Sequence, residues 1–364
     1  MSRVKVAEAC IALCATLALI TLPARAQSNN EPFNAKQVRI VIGYTTGGGY
    51  DVYARALARF MGPHLPGQPS VVPQNMPGAG SLVAANWLFN SAPRDGSAFA
   101  AINRGVPFEP LMDNETAKFD PLKFGWIGSM AKEINVTVAW YKTPVKTWRD
   151  LIDRGMVAGG TGTGADSVVD AQIMNHVMGA KIKLIAGYPG AAELNLALER
   201  GEVEGRPSPS WSSLKTAKPD WIKEGKIVPL WQLGLSSHPD LTVVPLMVDL
   251  VKSSDDREVL EFFFARQEMG RPYMAPPGLS TARLEALQNA FLNTAEDPGF
   301  IDLAQKQDLE VSPLSGPEVA GLIGRVYASP PRVIERAKQI TRTPIQVEEI
   351  SPDKAGAKPA KPSE

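Results

Sequence analysis

Cysteine is almost missing from this 364-residue chain: only Cys10 and Cys14 occur, both within the first 26 residues. Past them, no disulfide, thiol nucleophile or zinc–thiolate site is available. Histidine is as scarce. His64, His176 and His238 lie far apart and lack His-Glu-x-x-His spacing, so no metal site is expected. No Gly-x-Ser-x-Gly elbow supports a serine nucleophile. Excess charge is also lacking, since 38 basic residues face 38 acidic ones. That balance argues against nucleic acid or a membrane surface as partner. Beyond residue 26 no apolar run is long enough to cross a bilayer, which takes about 20 residues.

What is present starts with an export signal over residues 1–26. Arg3 and Lys5 give the positive start, Ala9–Leu22 the apolar core, and Ala24-Arg25-Ala26 the small-x-small cleavage site. Cleavage after Ala26 removes Arg3, Lys5 and Arg25 against Glu8, leaving 35 basic and 37 acidic residues, or −2. At the other end, residues 351–364 are rich in Pro, Lys and Ala with little to bury, the composition of a disordered tail.

Between these ends, apolar runs alternate with amphipathic helical patterns, the signature of α/β layers. Val38–Ile42 reads as a strand buried on both faces. Val52, Tyr53, Ala56, Leu57 and Phe60 form one stripe of a following helix. Further strands are expected at Val71–Pro73, Ala98–Ile102, Trp126–Ser129, Val136–Trp140, Met156–Ala158, Lys183–Ile185, near Val203 and at Ile227–Leu233. A fresh strand–helix series starts after Val136–Trp140, suggesting a second domain. Leu241–Leu246 is expected to bring the chain back to the first, followed by helices at Glu258–Gln267, Thr281–Thr294, Pro298–Gln307 and Pro317–Tyr327.

Two glycine-rich turns carry the functional signal. One is Tyr44-Thr-Thr-Gly-Gly-Gly-Tyr-Asp51 and the other Gly159-Gly-Thr-Gly-Thr-Gly-Ala-Asp166, each between a strand and a helix. That arrangement aims free backbone N–H groups and a positive helix end at an anion. Neither turn has the Lys-Ser/Thr step of a nucleoside triphosphate site, and the second lacks the full Gly-x-Gly-x-x-Gly dinucleotide fingerprint. Together they suggest a cleft that grips a small carboxylate from two sides, with no cofactor.

Several stretches, in order, resemble the solute receptors of tripartite tricarboxylate transporters, the Bug-type proteins. They are Val38-Arg-Ile-Val-Ile with Gly47-Gly-Gly-Tyr-Asp51 and Arg55; Asn75-Met-Pro-Gly-Ala-Gly80; Ala92-Pro-Arg-Asp-Gly96; Trp126-Ile-Gly128; Tyr188-Pro-Gly190 with Gly201 and Val203; and Met274-Ala-Pro-Pro-Gly278. The chain departs from the family at Glu204-Gly-Arg-Pro-Ser-Pro-Ser-Trp211. The resemblance implies a type II-like, two-lobed periplasmic binding fold: two doubly wound domains joined by two crossing strands. It also implies periplasmic capture of a small organic acid, hinge closure, and delivery to integral membrane subunits by a monomer that catalyses nothing. The domains are then 36–137 with 245–340, and 138–244. A sensor subunit feeding a membrane kinase, or an exported hydrolase, are the alternatives.

The candidate ligand contacts are Thr46, Gly47, Gly48, Gly49 and Asp51 in the first turn, and Gly160, Thr161, Gly162, Thr163 and Gly164 in the second. Asp51 also suits a helix cap paired with Arg55. Asn103 and Arg104 follow a strand at its carboxyl end, where open α/β sheets bind ligands, and Arg104 offers a bidentate fork. Tyr188 and Ser208 complete the set, with Arg206, Ser210 and Trp211 as weaker candidates.

Overall fold

The computed structural model describes residues 36–162, 165–343 and 345–349. The export signal, the tail, Thr163 and Gly164 lie outside them. In chain order the elements begin with β1 (Gln37–Ile42), α1 (Gly49–Met61), β2 (Ser70–Asn75), α2 (Leu82–Asn90), β3 (Ala98–Ala101) and β4 (Gly125–Ser129). Then come β5 (Asn135–Trp140), α3 (Trp148–Asp153), β6 (Met156–Gly159), α4 (Asp166–Met178), β7 (Ile182–Ala186), α5 (Ala191–Arg200), β8 (Gly205–Arg206), α6 (Trp211–Ala217), α7 (Pro219–Lys223) and β9 (Ile227–Leu233). The last are α8 (Met247–Leu250), α9 (Ser254–Phe264), β10 (Pro272–Ala275), α10 (Thr281–Glu296), α11 (Pro298–Lys306), β11 (Leu314–Ser315), α12 (Gly316–Tyr327), α13 (Pro331–Arg342) and β12 (Val347–Glu349).

The strands form two six-stranded sheets, ordered β11-β4-β10-β3-β1-β2 and β12-β7-β6-β8-β5-β9. In the first, β1 runs parallel to β2 and β3, while β10 lies antiparallel between β3 and β4. In the second, β6 runs parallel to β7 and β8, and β5 is the antiparallel strand beside β8 and β9. β5 and β10 are the first strands formed after the chain crosses from the first sheet to the second and back. Val38, Ile40, Val41 and Ile42 of β1 are fully buried because helices cover both faces of a largely parallel sheet.

Four details differ from the sequence expectations. The expected boundary at 137/138 falls inside β5, which belongs wholly to the second sheet. Leu246 still bridges Gln232 of β9, so the chain returns to the first sheet later, through α9 into β10. It also crosses a third time, since β12 pairs with β7. The strand expected near Val203 starts at Gly205. The described residues form one compact unit, so the lobes are in contact. Among those residues, no helix is long and apolar enough to cross a membrane.

Candidate functional site

Loops from both lobes line a small cavity of about 90 Å³. Tyr44, Gly48, Gly49 and Tyr50 come from the β1–α1 turn, and Asn103 and Arg104 from the end of β3. The facing lobe supplies Gly159, Thr161 and Ala165–Ser167, Ala191 and Leu194 of α5, and Arg206–Ser210. These are carboxyl ends of strands and amino ends of helices, where such sheets place ligands.

Four helix starts meet this cleft without a side-chain cap. The N-cap residues are Gly48 for α1, Ala165 for α4, Gly190 for α5 and, on the short α6, Ser210. By contrast, Thr147 and Ser315 close capping boxes on α3 and α12, and Ser253 and Asp297 cap α9 and α11. The first N–H groups of a helix have no partner within it. Uncapped starts also occur away from the cavity, at α2, α7, α8, α10 and α13, so what sets these apart is that they meet at one cavity, where free N–H groups can face an acceptor atom of negative charge. Close approach is part of the design. A Cβ on Gly49 would lie 2.1 Å from Ser213 Oγ, and one on Gly48 3.6 Å from Ala191 Cβ across the cleft.

Four buried arginines surround the site, and three are neutralised. Arg104, 2% exposed, meets Asp166 at 2.8 Å, Asn135 Oδ1, and the Gly270 carbonyl at 3.3 Å. Arg266 pairs with Asp170 and lies 3.5 Å from Asp166. Arg271 pairs with Glu133 at 2.7 Å and donates to Ser213 Oγ at 2.8 Å. Its guanidinium sits between the rings of Tyr50 and Tyr53, 5.0 and 4.9 Å from their centres, a double cation–π contact. Arg206 differs: among the described residues its side chain donates to Asn195 Oδ1 at 2.6 Å and has no carboxylate partner, and burial pushes its pKa down to about 10.

Arg104–Asp166 and Arg266–Asp170 tie the first lobe to α4 of the second, forming a latch. Burial pushes the Asp166 carboxyl up, but Arg104 and Arg266 outweigh it and hold Asp166 below the ordinary range. Asp170 is pushed up by burial despite Arg266. A depressed carboxylate stabilises the folded form above its ordinary value of 3.8 and loses that contribution as pH falls through the lower folded value. Thermal melts of an Asp166→Asn variant are therefore expected to show a flatter decline below about pH 4 than the parent. Parallel acid limbs would remove Asp166 from the latch.

The structure sorts the sequence candidates. Gly48, Gly49, Asn103, Arg104, Thr161 and Ser208 line the cleft, as do Arg206 and Ser210. Arg104 does so with its fork occupied by Asp166, so it is not free to clamp a ligand carboxylate. Thr46 and Gly47 are exposed and outside the lining. Asp51 is spent on Gly47 N–H, Arg55 and Asn75, which fixes the turn. Gly160 donates to the Ile185 carbonyl behind the lining, and Tyr188 is buried in the hydrophobic core. Gly162 packs instead on Ala79 and Gly80 of the opposite lobe. Trp211 turns away to Asp240. Sequence reasoning missed Tyr44, Tyr50, Asp166, Asp170, Arg266 and Arg271. One signal was legible: Asp166 and Asp170 stand at i, i+4 beside the apolar Val169 and Ile173, which marks buried carboxylates.

A family model described as tripartite tricarboxylate transporter family receptor matches residues 53–338. A UPF0065 protein of Cupriavidus necator is 25% identical over 339 residues, covering 89% of this chain and 94% of its own. A UPF0065 protein of Bordetella pertussis is 25% identical over 303 residues, covering 81% and 87%. Among solved structures, the periplasmic binding protein BugD superposes with a TM-score of 0.67 at 20% identity, covering 86% of this chain and 99% of its own. A Rhodopseudomonas palustris protein with adipate gives 0.66 at 20%, covering 84% and 97%. MatC of the same organism, with bound malate, gives 0.65 at 17%, covering 84% and 99%. At these identities the superpositions establish a shared two-lobed α/β fold.

Proposed function

Because this chain belongs to the tripartite tricarboxylate transporter receptor family, we propose that it is exported, cleaved after Ala26, and captures a small organic acid in the periplasm. The acid binds as its carboxylate between the lobes, no covalent bond changes, and the closed form is presented to integral membrane subunits of the transporter. The observation that carries this reading is the convergence of uncapped helix starts, Gly48, Ala165 and Gly190 among them, on one small cavity between the lobes. Charge-assisted bonds to backbone N–H groups are about twice as strong as neutral ones.

Adipate and malate accompany two structural neighbours and head the panel of acids to test. A binder at a hundred times its dissociation constant stabilises the folded form by about 2.7 kcal/mol. The melting temperature of the mature protein is expected to rise by several degrees, and the corresponding neutral amide to give no rise. A broad panel of small acids producing neither shift nor calorimetric heat would overturn the proposal.

A further inference from the structure

We propose that the solute enters and leaves through the seam between α1 of the first lobe and α6 of the second, a portal with a basic mouth, while the Arg104–Asp166 and Arg266–Asp170 latch stays shut. This rests on the carboxylate-receptor reading above and adds the route by which an acid reaches the cavity.

Three cavities adjoin one another along this seam. The ligand cavity and a middle one of about 100 Å³ share Gly49 and Ser213 in their linings. The middle one and an outer groove of about 660 Å³ share Val52 and Thr216. Each shared pair joins one residue of α1 to one of α6. The narrow point is Gly49 against Ser213. A Cβ on Gly49 would collide with Ser213 Oγ, so the wall between the first two cavities is one small side chain. Arg271, which lines the ligand cavity, donates to that Oγ at 2.8 Å. A serine changes between staggered rotamers without moving its backbone.

What holds the mouth of the seam is weaker than what holds the latch. Lys215 of α6 pairs with Glu310 at 2.6 Å, His238 reaches the same carboxylate at 3.1 Å, and Thr216 Oγ1 donates to the Asp308 carbonyl at 3.3 Å. Asp308 and Glu310 follow α11 in the first lobe. The Lys215 and Glu310 side chains are 25% and 33% exposed, and pairs open to water contribute little. Arg104, Arg266, Asp166 and Asp170 are buried, and breaking such pairs is costly. Among the described residues, none of these four lines the middle cavity or the outer groove, so the seam can part while the latch holds. The groove presents Arg55, Arg59, Lys215 and Lys306 against Asp308. Arg55, Lys215 and Lys306 have carboxylate partners in Asp51, Glu310 and Asp302, and Arg59 has none within ion-pair distance among the described residues. A groove lined by one sign of charge raises the local concentration of opposite ions, and an acid arrives as an anion.

The test follows association and release of radiolabelled malate and adipate on the mature protein by rapid filtration, with the tightest acid of the panel above in their place should neither bind. Thr216→Trp is expected to slow both rates by about tenfold or more, because overpacking the seam raises the barrier in both directions. Thr216 is outside the lining of the ligand cavity, so the dissociation constant is expected to stay within about threefold. Glu310→Gln, which loosens the mouth, is expected to speed both rates about threefold. Arg59→Gln with Lys306→Gln is expected to slow association about threefold at low salt, to leave release alone, and to lose its effect at high salt. Unchanged rates in Thr216→Trp with binding intact, or a change in release alone, overturn the portal and leave the receptor reading standing. Should Thr216→Trp fail to fold, Glu310→Gln decides, and unchanged rates there overturn the portal. Association indifferent to Arg59→Gln with Lys306→Gln overturns the role of the basic mouth. Absence of binding by every acid in the parent protein overturns the receptor reading and this inference together.

Discussion

Gly162→Val is expected to weaken ligand binding by roughly 100-fold and to lower the unliganded melting temperature as well, because overpacking costs about 1–3 kcal/mol and parting the lobes strains the Arg104–Asp166 and Arg266–Asp170 latch. Even a Cβ at this position would lie 2.3 Å from Gly80 N and 2.5 Å from Ala79 C. These are main-chain atoms of the opposite lobe, and they are poorly placed to yield. Gly78, Ala79, Gly80 and Ser81 all have positive φ, at 143°, 45°, 63° and 84°. Two of them carry a side chain in a region that costs of order 1–3 kcal/mol. Ser81 is pinned as well, donating from Oγ to the Gly43 carbonyl at 3.2 Å and accepting from Asn103 N–H at 3.2 Å. The valine therefore obstructs closure. A ligand that needs the closed form then binds in proportion to the fraction still closed. Calorimetry and small-angle scattering measure both quantities. Parental affinity in this variant would show that Gly162 and Gly80 do not meet in the bound state.

Arg104→Ala is expected to destabilise the protein by about 3 kcal/mol, the lower end of what breaking a buried pair costs. The lower end applies because Asp166 keeps Arg266 at 3.5 Å. Arg104 loses Asp166, Asn135 and the Gly270 carbonyl together, and Asp166 loses its nearer cation. From the sequence, Arg104 reads as a fork for the ligand; its occupation by Asp166 makes stability the larger effect. The double variant Arg104→Met with Asp166→Leu is expected to recover much of the loss, since apolar replacement of a complete buried pair is often close to neutral. Chemical denaturation of the four proteins in the cycle gives the coupling. Additive losses would show that the two side chains act independently.

Much of the fold could be read along the chain. The strand expected at Ile227–Leu233 is β9 to the residue, and the helices expected at Thr281–Thr294 and Pro298–Gln307 match α10 and α11 to within two residues. Apolar periodicity marks these segments locally, with proline at the first position of α11. α13 is not among the helices the sequence pattern predicts, although Val333, Ala337 and Ile340 keep a helical spacing after Pro331. Its mostly polar surface hid the stripe. β8 is too short to show any period, and it is the strand that carries Arg206.

The sequence alone determined the α/β layers, the two glycine turns and the family resemblance, because each is set by residues that are neighbours along the chain. Only the tertiary structure decided which arginine stays open. Arg104 and Asp166 are 62 positions apart and Arg266 and Asp170 are 96 apart. Their charges cancel only once the lobes meet, and no local pattern records which partners meet there. Gly162 is likewise confined to glycine by Gly80, a residue of the opposite lobe.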